Sequence, residues 1–418
     1  MKHEIGARFF AGMVVVASLA ARDAADNGWR SVIDSLLEEP GDSVCEVQNV
    51  VSTETLAVLR ERRPRYVAFV LKPEEVGASA IRGIRAMMCA FDDDPFDDAI
   101  WGIVTGPSAD DARRVALCEG PREVSSVLAT TGVDANLVDG PVTVISDAAP
   151  PAEDVTSGIF ADAWDRDDPD LLLTSAHASE RNLEMPFSRG NIVSVSNRFF
   201  AVGNVKMIDY STGQAVEGVS IDSRSIRPLA EPRREKVWLA AGNCLIANHK
   251  PEGSDMVMSA LGFGKVNQFV GYIKTTWFGD IGWNTWGYFG GYGLALNESW
   301  YAANQHLIKR LVCEREGLDQ GTLLGLAWDF DATVFYGNPR RRVTIPGRER
   351  LAAYKEGDLP QLIVFPDSKP GRRLISAPEG FEVFVADDFA LVTKWPELSP
   401  DWRTTLVFDQ GRSLDAQN

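Results

Sequence analysis

The chain has 418 residues, 45% hydrophobic and 24% charged, the proportions of an ordinary globular protein rather than a disordered or fibrous one. That length exceeds a single core of roughly 100–200 residues, so two or more structural units are expected. A formal net charge of −17 argues against nucleic acid as the main partner, because phosphate binding needs a basic surface, and it favours attraction of cationic substrates.

Five cysteines, Cys45, Cys89, Cys118, Cys244 and Cys313, are scattered and lack CxxC spacing, so neither a disulfide framework nor a zinc site is indicated. Only His3, His177, His249 and His306 supply imidazole. Any histidine chemistry draws on that short set.

Near the N-terminus, residues 9–20 (FFAGMVVVASLA) follow Lys2 and Arg8 and end in small residues, as a secretory signal does. The same run also reads as a buried strand, MVVVAS, ahead of an amphipathic helix around Trp29–Glu38. No other segment approaches the ~18 apolar residues of a membrane span. To about residue 150, strands at Met13–Ser18, Val44–Val50, Tyr66–Leu71, Ile100–Thr105 and Val142–Ser146 alternate with helical stretches at 27–38, 53–62, 77–90 and 108–118. Short apolar runs between helices imply parallel strands buried on both faces and joined by right-handed crossovers. The fold class expected is a three-layer α/β/α arrangement on a mainly parallel sheet.

Leu171–Thr174 and Val237–Ala241 continue the pattern, and a helix, Asp255–Leu261, leads to a strand at Gln268–Ile273. Residues 188–232, rich in β-branched residues and glycine, read as a β-rich insertion. Helices at about 297–315 and 321–327 close the α/β unit, which spans 1–340. From 341 to 418 the runs LIVFP (362–366), FEVFVA (381–386), FALVT (389–393) and TTLVF (404–408) alternate between turn residues. They predict a small immunoglobulin-like β-sandwich.

Reactive residues of open α/β sheets collect at the carboxyl ends of strands. Cys244, in VWLAAGNCLIAN (237–248), and His177, in DLLLTSAHASERN (170–182), both stand just past such ends. Taken singly, each also suits a packing role, since free cysteine is among the most buried residue types. As a pair distant in sequence and close in the fold, they meet the requirement of thiol catalysis: a sulfur beside an imidazole that favours the thiolate.

These stretches resemble the gingipain family of caspase-like cysteine peptidases, in which a strand ending in His-Gly precedes a strand ending in Ala-Cys. In the same order, RYVAFVLKPEEVG (65–77) is similar to the family's strand and acidic-Pro turn, and FDDDPFDDAIWGIVTGPSADDARRVA (91–116) to its acidic turn, strand and helix. FVGYIKTTW (269–277) resembles the strand leading to a pocket tryptophan, and DATVFYGNPRRRV (331–343) the element closing the catalytic domain. The resemblance implies a caspase-like fold with MVVVAS as its first strand, which favours a cytoplasmic over a secreted chain. It also implies endopeptidase activity on a protein or peptide substrate, with no cofactor.

Residue by residue, it implies Cys244 as nucleophile, His177 as proton carrier, and backbone N–H groups at Cys244 and Ala178 for the oxyanion. Asp147, in VTVISDAAPP (142–151), would orient His177. Trp277, with Trp283 and Trp286 as further candidates, would wall the primary pocket. Asp154 or Asp280 would select an arginine or lysine side chain by charge pairing. Aromatics in a Gly-rich stretch such as WNTWGYFGGYG (283–293) also serve as packing or loop anchors.

The chain departs from the family at Ala178, where glycine is usual, and at Asn243, where alanine is usual. Those departures motivate an alternative, an impaired pseudopeptidase serving as a binding or assembly module. FDDDPFDD (91–98) admits a structural calcium ion, since hard cations take carboxylate clusters. It lacks an EF-hand pattern, and a solvated acidic turn is the plainer expectation. GFGK (262–265) lacks the remainder of a phosphate loop.

Overall fold

The computed structural model describes residues 12–22, 27–120, 122–146, 156–186, 190–203, 208–209, 214–215, 226–251, 254–347, 359–365, 372–396 and 406–408. In chain order the first unit contains β1 (Met13–Ser18), α1 (Leu19–Arg22), α2 (Asn27–Asp34), β2 (Ser43–Val47), α3 (Thr53–Arg62), β3 (Tyr66–Val70), α4 (Ala78–Met88), β4 (Ile100–Val104) and α5 (Ala109–Leu117). There follow β5 (Val127–Ala129), β6 (Val142–Val144), α6 (Thr156–Asp167) and β7 (Leu171–Thr174). Strands β1, β4 and β7 are buried along their whole length, as apolar runs without alternation require. Helix starts follow local chemistry: Ser52 and Ser108 accept the Thr55 and Asp111 N–H groups at the heads of α3 and α5.

The segment after β7 is β-rich, as expected. It forms β8 (Asn182–Glu184), β9 (Asn191–Val195), β10 (Arg198–Val202), the short pair β11 (Ile208–Asp209) and β12 (Gln214–Ala215), and β13 (Ile226–Pro228). Four of them build an antiparallel sheet, ordered β13-β10-β9-β8. From β10, Phe199 packs edge-on against Trp164 of α6 and Trp238.

The chain then runs through β14 (Lys236–Ala240), α7 (Met256–Leu261), β15 (Val266–Tyr272), α8 (Asp280–Trp286), α9 (Leu296–Cys313), α10 (Gln320–Asp329) and β16 (Thr333–Tyr336). The large sheet has ten strands in the order β2-β1-β3-β4-β16-β15-β14-β7-β5-β6. Neighbours are parallel throughout except at one seam, where β15 and β16 are antiparallel. The sheet is therefore two parallel blocks running in opposite directions. The purely local pattern predicted parallel strands and carried no sign of this reversal, because β16 returns to the first block only after three helices. As a result, the carboxyl ends of β7 and β14 lie at the opposite end of the sheet from those of β3 and β4.

The Gly-rich stretch after Trp283 is also more regular than a loop. It continues α8 and then forms a π-helical turn at Gly287–Gly291. Gly282 permits this: a Cβ there would lie 2.0 Å from the Ala241 carbonyl oxygen, so only glycine lets α8 press against the end of β14.

Beyond residue 358, β17 (Gln361–Val364), β18 (Leu374–Ser376), β19 (Glu382–Val385), β20 (Phe389–Lys394) and β21 (Val407–Phe408) form a three-stranded antiparallel sheet, β17-β20-β19, and a β18–β21 pair. Val392, Trp395 and Leu406 make a small core of their own, with Leu374 and Phe408 packed against it. Phe389 and Leu391 belong instead to the main core, and Phe389 meets Phe96 at 5.3 Å and Tyr301 at 6.1 Å. No helix among the described residues is long and apolar enough to cross a membrane.

Candidate active site

Strands β7 and β14 are parallel neighbours, with Ala240 opposite Thr174. His177 and Cys244 lie just past these two ends, and a buried hydrogen-bond set ties the ends together. Asn243 is fully buried. Its Oδ1 accepts from Thr174 Oγ1 at 2.6 Å, and its Nδ2 donates to the Ala176 carbonyl at 2.7 Å. Trp238 Nε1 donates to the same threonine hydroxyl at 2.8 Å. Asn243 thus fastens the turn that carries Cys244 to the turn that carries His177. Gly242 eases the close approach, since a Cβ there would meet Ser175 Oγ at 2.4 Å and make that hydroxyl turn away.

Cys244 is partly exposed. Its Sγ accepts the Thr276 N–H at 3.2 Å and lies 3.9 Å from the Thr276 carbonyl oxygen. The next residue, Leu245, has φ +57°, a left-handed conformation that branched side chains avoid and that costs on the order of 1–3 kcal/mol. Two bonds to the end of β15 hold it there: Leu245 N–H to the Lys274 carbonyl and Ala247 N–H to the Tyr272 carbonyl, both at 3.0 Å. The turn displaying the sulfur is held from β7 on one side and from β15 on the other.

His177 is exposed and Ala178 buried. Two backbone bonds close the turn that carries them, Glu184 N–H to the His177 carbonyl at 2.8 Å and Ser179 N–H to the Asn182 carbonyl at 2.9 Å. Neither uses the Ala178 N–H.

Beyond Thr276 the chain presents aromatic surface. Trp277 is 60% exposed, and Phe278, Trp283 and Trp328 are each about 40% exposed. Trp328 Nε1 donates to the Thr275 carbonyl at 2.9 Å, which anchors α10 beside the loop. Trp286 instead packs in the core region against Phe289. Asp280 is committed elsewhere: it pairs with Arg310 at 2.6 Å and accepts from Asn284 Nδ2 at 2.9 Å. Burial lifts its carboxyl above the ordinary range, with Arg310 opposing. Asp147 and Asp154 lie outside the described residues.

The acidic turn is less solvated than its sequence suggests. Asp97 is fully buried and pairs with Arg85. Asp98 is buried and accepts the Phe91 N–H at 2.8 Å. Asp92, Asp98 and Asp388, the last from the β19–β20 turn, bring carboxylate oxygens within 4.8 Å of one another. Burial, with Asp92 adding to it, pushes Asp98 up to about 10.

Sequence reasoning missed the Thr276 N–H and the Thr174 hydroxyl. Neither carries a signal, since a backbone donor and a strand threonine look alike everywhere in a chain.

No protein-family model matches the chain, and no curated protein matches it significantly. A solved structure described as "Structure of Protease" superposes with a TM-score of 0.46 at 11% identity, covering 93% of this chain and 92% of that chain. A likeness at that level carries no argument about activity.

Proposed function

We propose that the chain is a cysteine endopeptidase of the gingipain-like, caspase-like kind, with Cys244 as nucleophile and His177 as proton carrier. One observation carries the reading: Asn243 fastens the end of β14 to the end of β7, which holds the turns carrying Cys244 and His177 at adjacent strand ends. The Thr276 N–H on the sulfur supports it.

In this reading the Cys244 thiolate attacks the peptide carbonyl carbon and the C=O electron pair moves to oxygen. Backbone N–H groups at Cys244 and Ala178 receive that oxyanion. Collapse breaks the C–N bond as the His177 imidazolium gives its proton to the leaving amine. Water then adds to the thioester, losing a proton to His177, and the thiolate departs. Trp277 stacks on the side chain before the scissile bond, which is arginine or lysine if Asp154 supplies the charge.

The test is a panel of fluorogenic peptides with Arg, Lys, Asp or Asn before the cleaved bond, run on the parent protein and on Cys244→Ala. Turnover by the parent that Cys244→Ala abolishes supports the reading. Turnover that survives in Cys244→Ala overturns it. No turnover by the parent favours the binding-module alternative.

A further inference from the structure

At the head of α7, His249 and Asp255 form a second imidazole–carboxylate pair that the proposed peptidase chemistry does not use. They are 6% and 1% exposed. His249 Nδ1 lies 2.6 Å from Asp255 Oδ2, which also accepts the Lys250 N–H at 3.1 Å, while Asp255 Oδ1 accepts the Met258 N–H at 2.9 Å. A carboxylate holding two backbone donors is an acceptor, so Nδ1 carries a proton, and in the neutral imidazole Nε2 is the nitrogen that keeps its lone pair. That Nε2 is buried and has no hydrogen-bond partner among the described residues. A buried acceptor left unmet carries a desolvation cost that a donor in the adjacent space removes.

The same imidazole lines a cavity of about 230 Å³, together with Pro73, Glu74, Pro107, Asn197, Pro251 and Met258. It is smaller than the roughly 300–1,000 Å³ of sites for drug-sized ligands, and suits one side chain or a small amine. Its walls are part apolar, from the prolines and Met258, and part polar, from Asn197 and His249; among the described residues that line it, Glu74 carries the one formal charge and none is lysine or arginine.

The geometry points to a second binding site for an ammonium or guanidinium group on an apolar stem. The cationic N–H donates to His249 Nε2, the charge faces Glu74, and the methylenes lie against the prolines and Met258. Asp255 is a positioning residue: it fixes which imidazole nitrogen faces the ligand. The net charge of −17 draws cations toward the protein generally. The inference stands apart from the peptidase reading, because its readout does not involve turnover.

The experiment uses the full chain carrying Cys244→Ala, labelled with ¹⁵N-histidine. Four histidines give few resonances, and His249→Gln assigns the relevant one. Agmatine is titrated against 1-butanol as a neutral control, then against the peptide Gly-Arg-Gly with blocked ends. Agmatine is expected to move the His249 Nε2 resonance while butanol does not, and Glu74→Gln, at an exposed position, is expected to weaken agmatine about threefold. Binding of the peptide as well identifies a basic side chain as the ligand, and binding of agmatine alone identifies a free amine; either supports the site. An unmoved resonance with agmatine overturns the proposal, as does undiminished affinity in Glu74→Gln.

Discussion

Asn243 Nδ2 donates to the Ala176 carbonyl at 2.7 Å, linking the residue before the candidate nucleophile to the residue before the candidate base. With the Thr174 bond to Oδ1, this buried amide ties the two turns together beneath the surface, and Asn248 Nδ2 joins them again by donating to Glu180 Oε1 at 3.1 Å.

Asn243→Ala removes both bonds and leaves the Thr174 hydroxyl and Ala176 carbonyl short of a partner. The expected loss is about 2 kcal/mol in denaturant unfolding, with a fall in kcat larger than any rise in KM, since the change displaces reacting groups rather than a binding wall. A parent-like kcat in a folded variant would remove Asn243 from the account.

Gly242 and Ser175 give a sharper geometric test. Gly242→Ala puts a methyl group 2.4 Å from Ser175 Oγ and 3.3 Å from its Cβ, so the hydroxyl must turn away or the turns must separate, and activity is expected to fall. Adding Ser175→Gly vacates that space. The double variant is expected to recover most of the activity lost, a coupling that a double-mutant cycle reads directly. Additive losses would contradict the close approach.

Much of this arrangement was legible in the sequence, and the limits are physical. MVVVAS announced β1 to the residue, because a run buried on both faces has no alternation to blur its ends. β5 went unread, since three residues carry too little periodicity. The reversed block was illegible because apolar spacing has no direction, so β15 and β16 look alike either way round. Cys244 and His177 stood out through their places at strand ends. Asn243 registered only as a departure, because its partners lie far away in sequence. Asp280 looked like a free selector, and only folding brings Arg310 against it.

Three carboxyls set a pH dependence. Burial raises Asp98 to about 10, and Asp94 and Asp329 each to about 6, against roughly 4 in an unfolded chain. A raised folded value means the protonated form is favoured by folding. Their contribution is therefore complete below about pH 4, and is lost as pH rises, through about 6 for Asp94 and Asp329 and onward toward 10 for Asp98. With a chelator present, Asp98→Asn is expected to exceed the parent's stability by about 1–2 kcal/mol at pH 8, and to lose that advantage near pH 4. A constant offset between the two would contradict the assignment. Calcium in place of the chelator raises the parent's Tm and not the variant's if Asp92, Asp98 and Asp388 hold the ion.

The rim aromatics separate binding from chemistry. Trp277→Ala, at an exposed position, is expected to leave Tm unchanged and to raise KM for peptides with a long side chain before the scissile bond by about tenfold. An equal effect on peptides with a small residue there would remove Trp277 from the pocket.

The central claim is that His177 activates Cys244, and alkylation kinetics address it without any knowledge of the substrate. Cys313 is exposed and serves as an internal reference. Iodoacetamide labelling followed by peptide mass spectrometry near pH 6.5 is expected to modify Cys244 at least about tenfold faster than Cys313, and His177→Ala should bring the two rates together. Equal rates in the parent protein, or a Cys244 rate untouched by loss of the imidazole, would contradict the account.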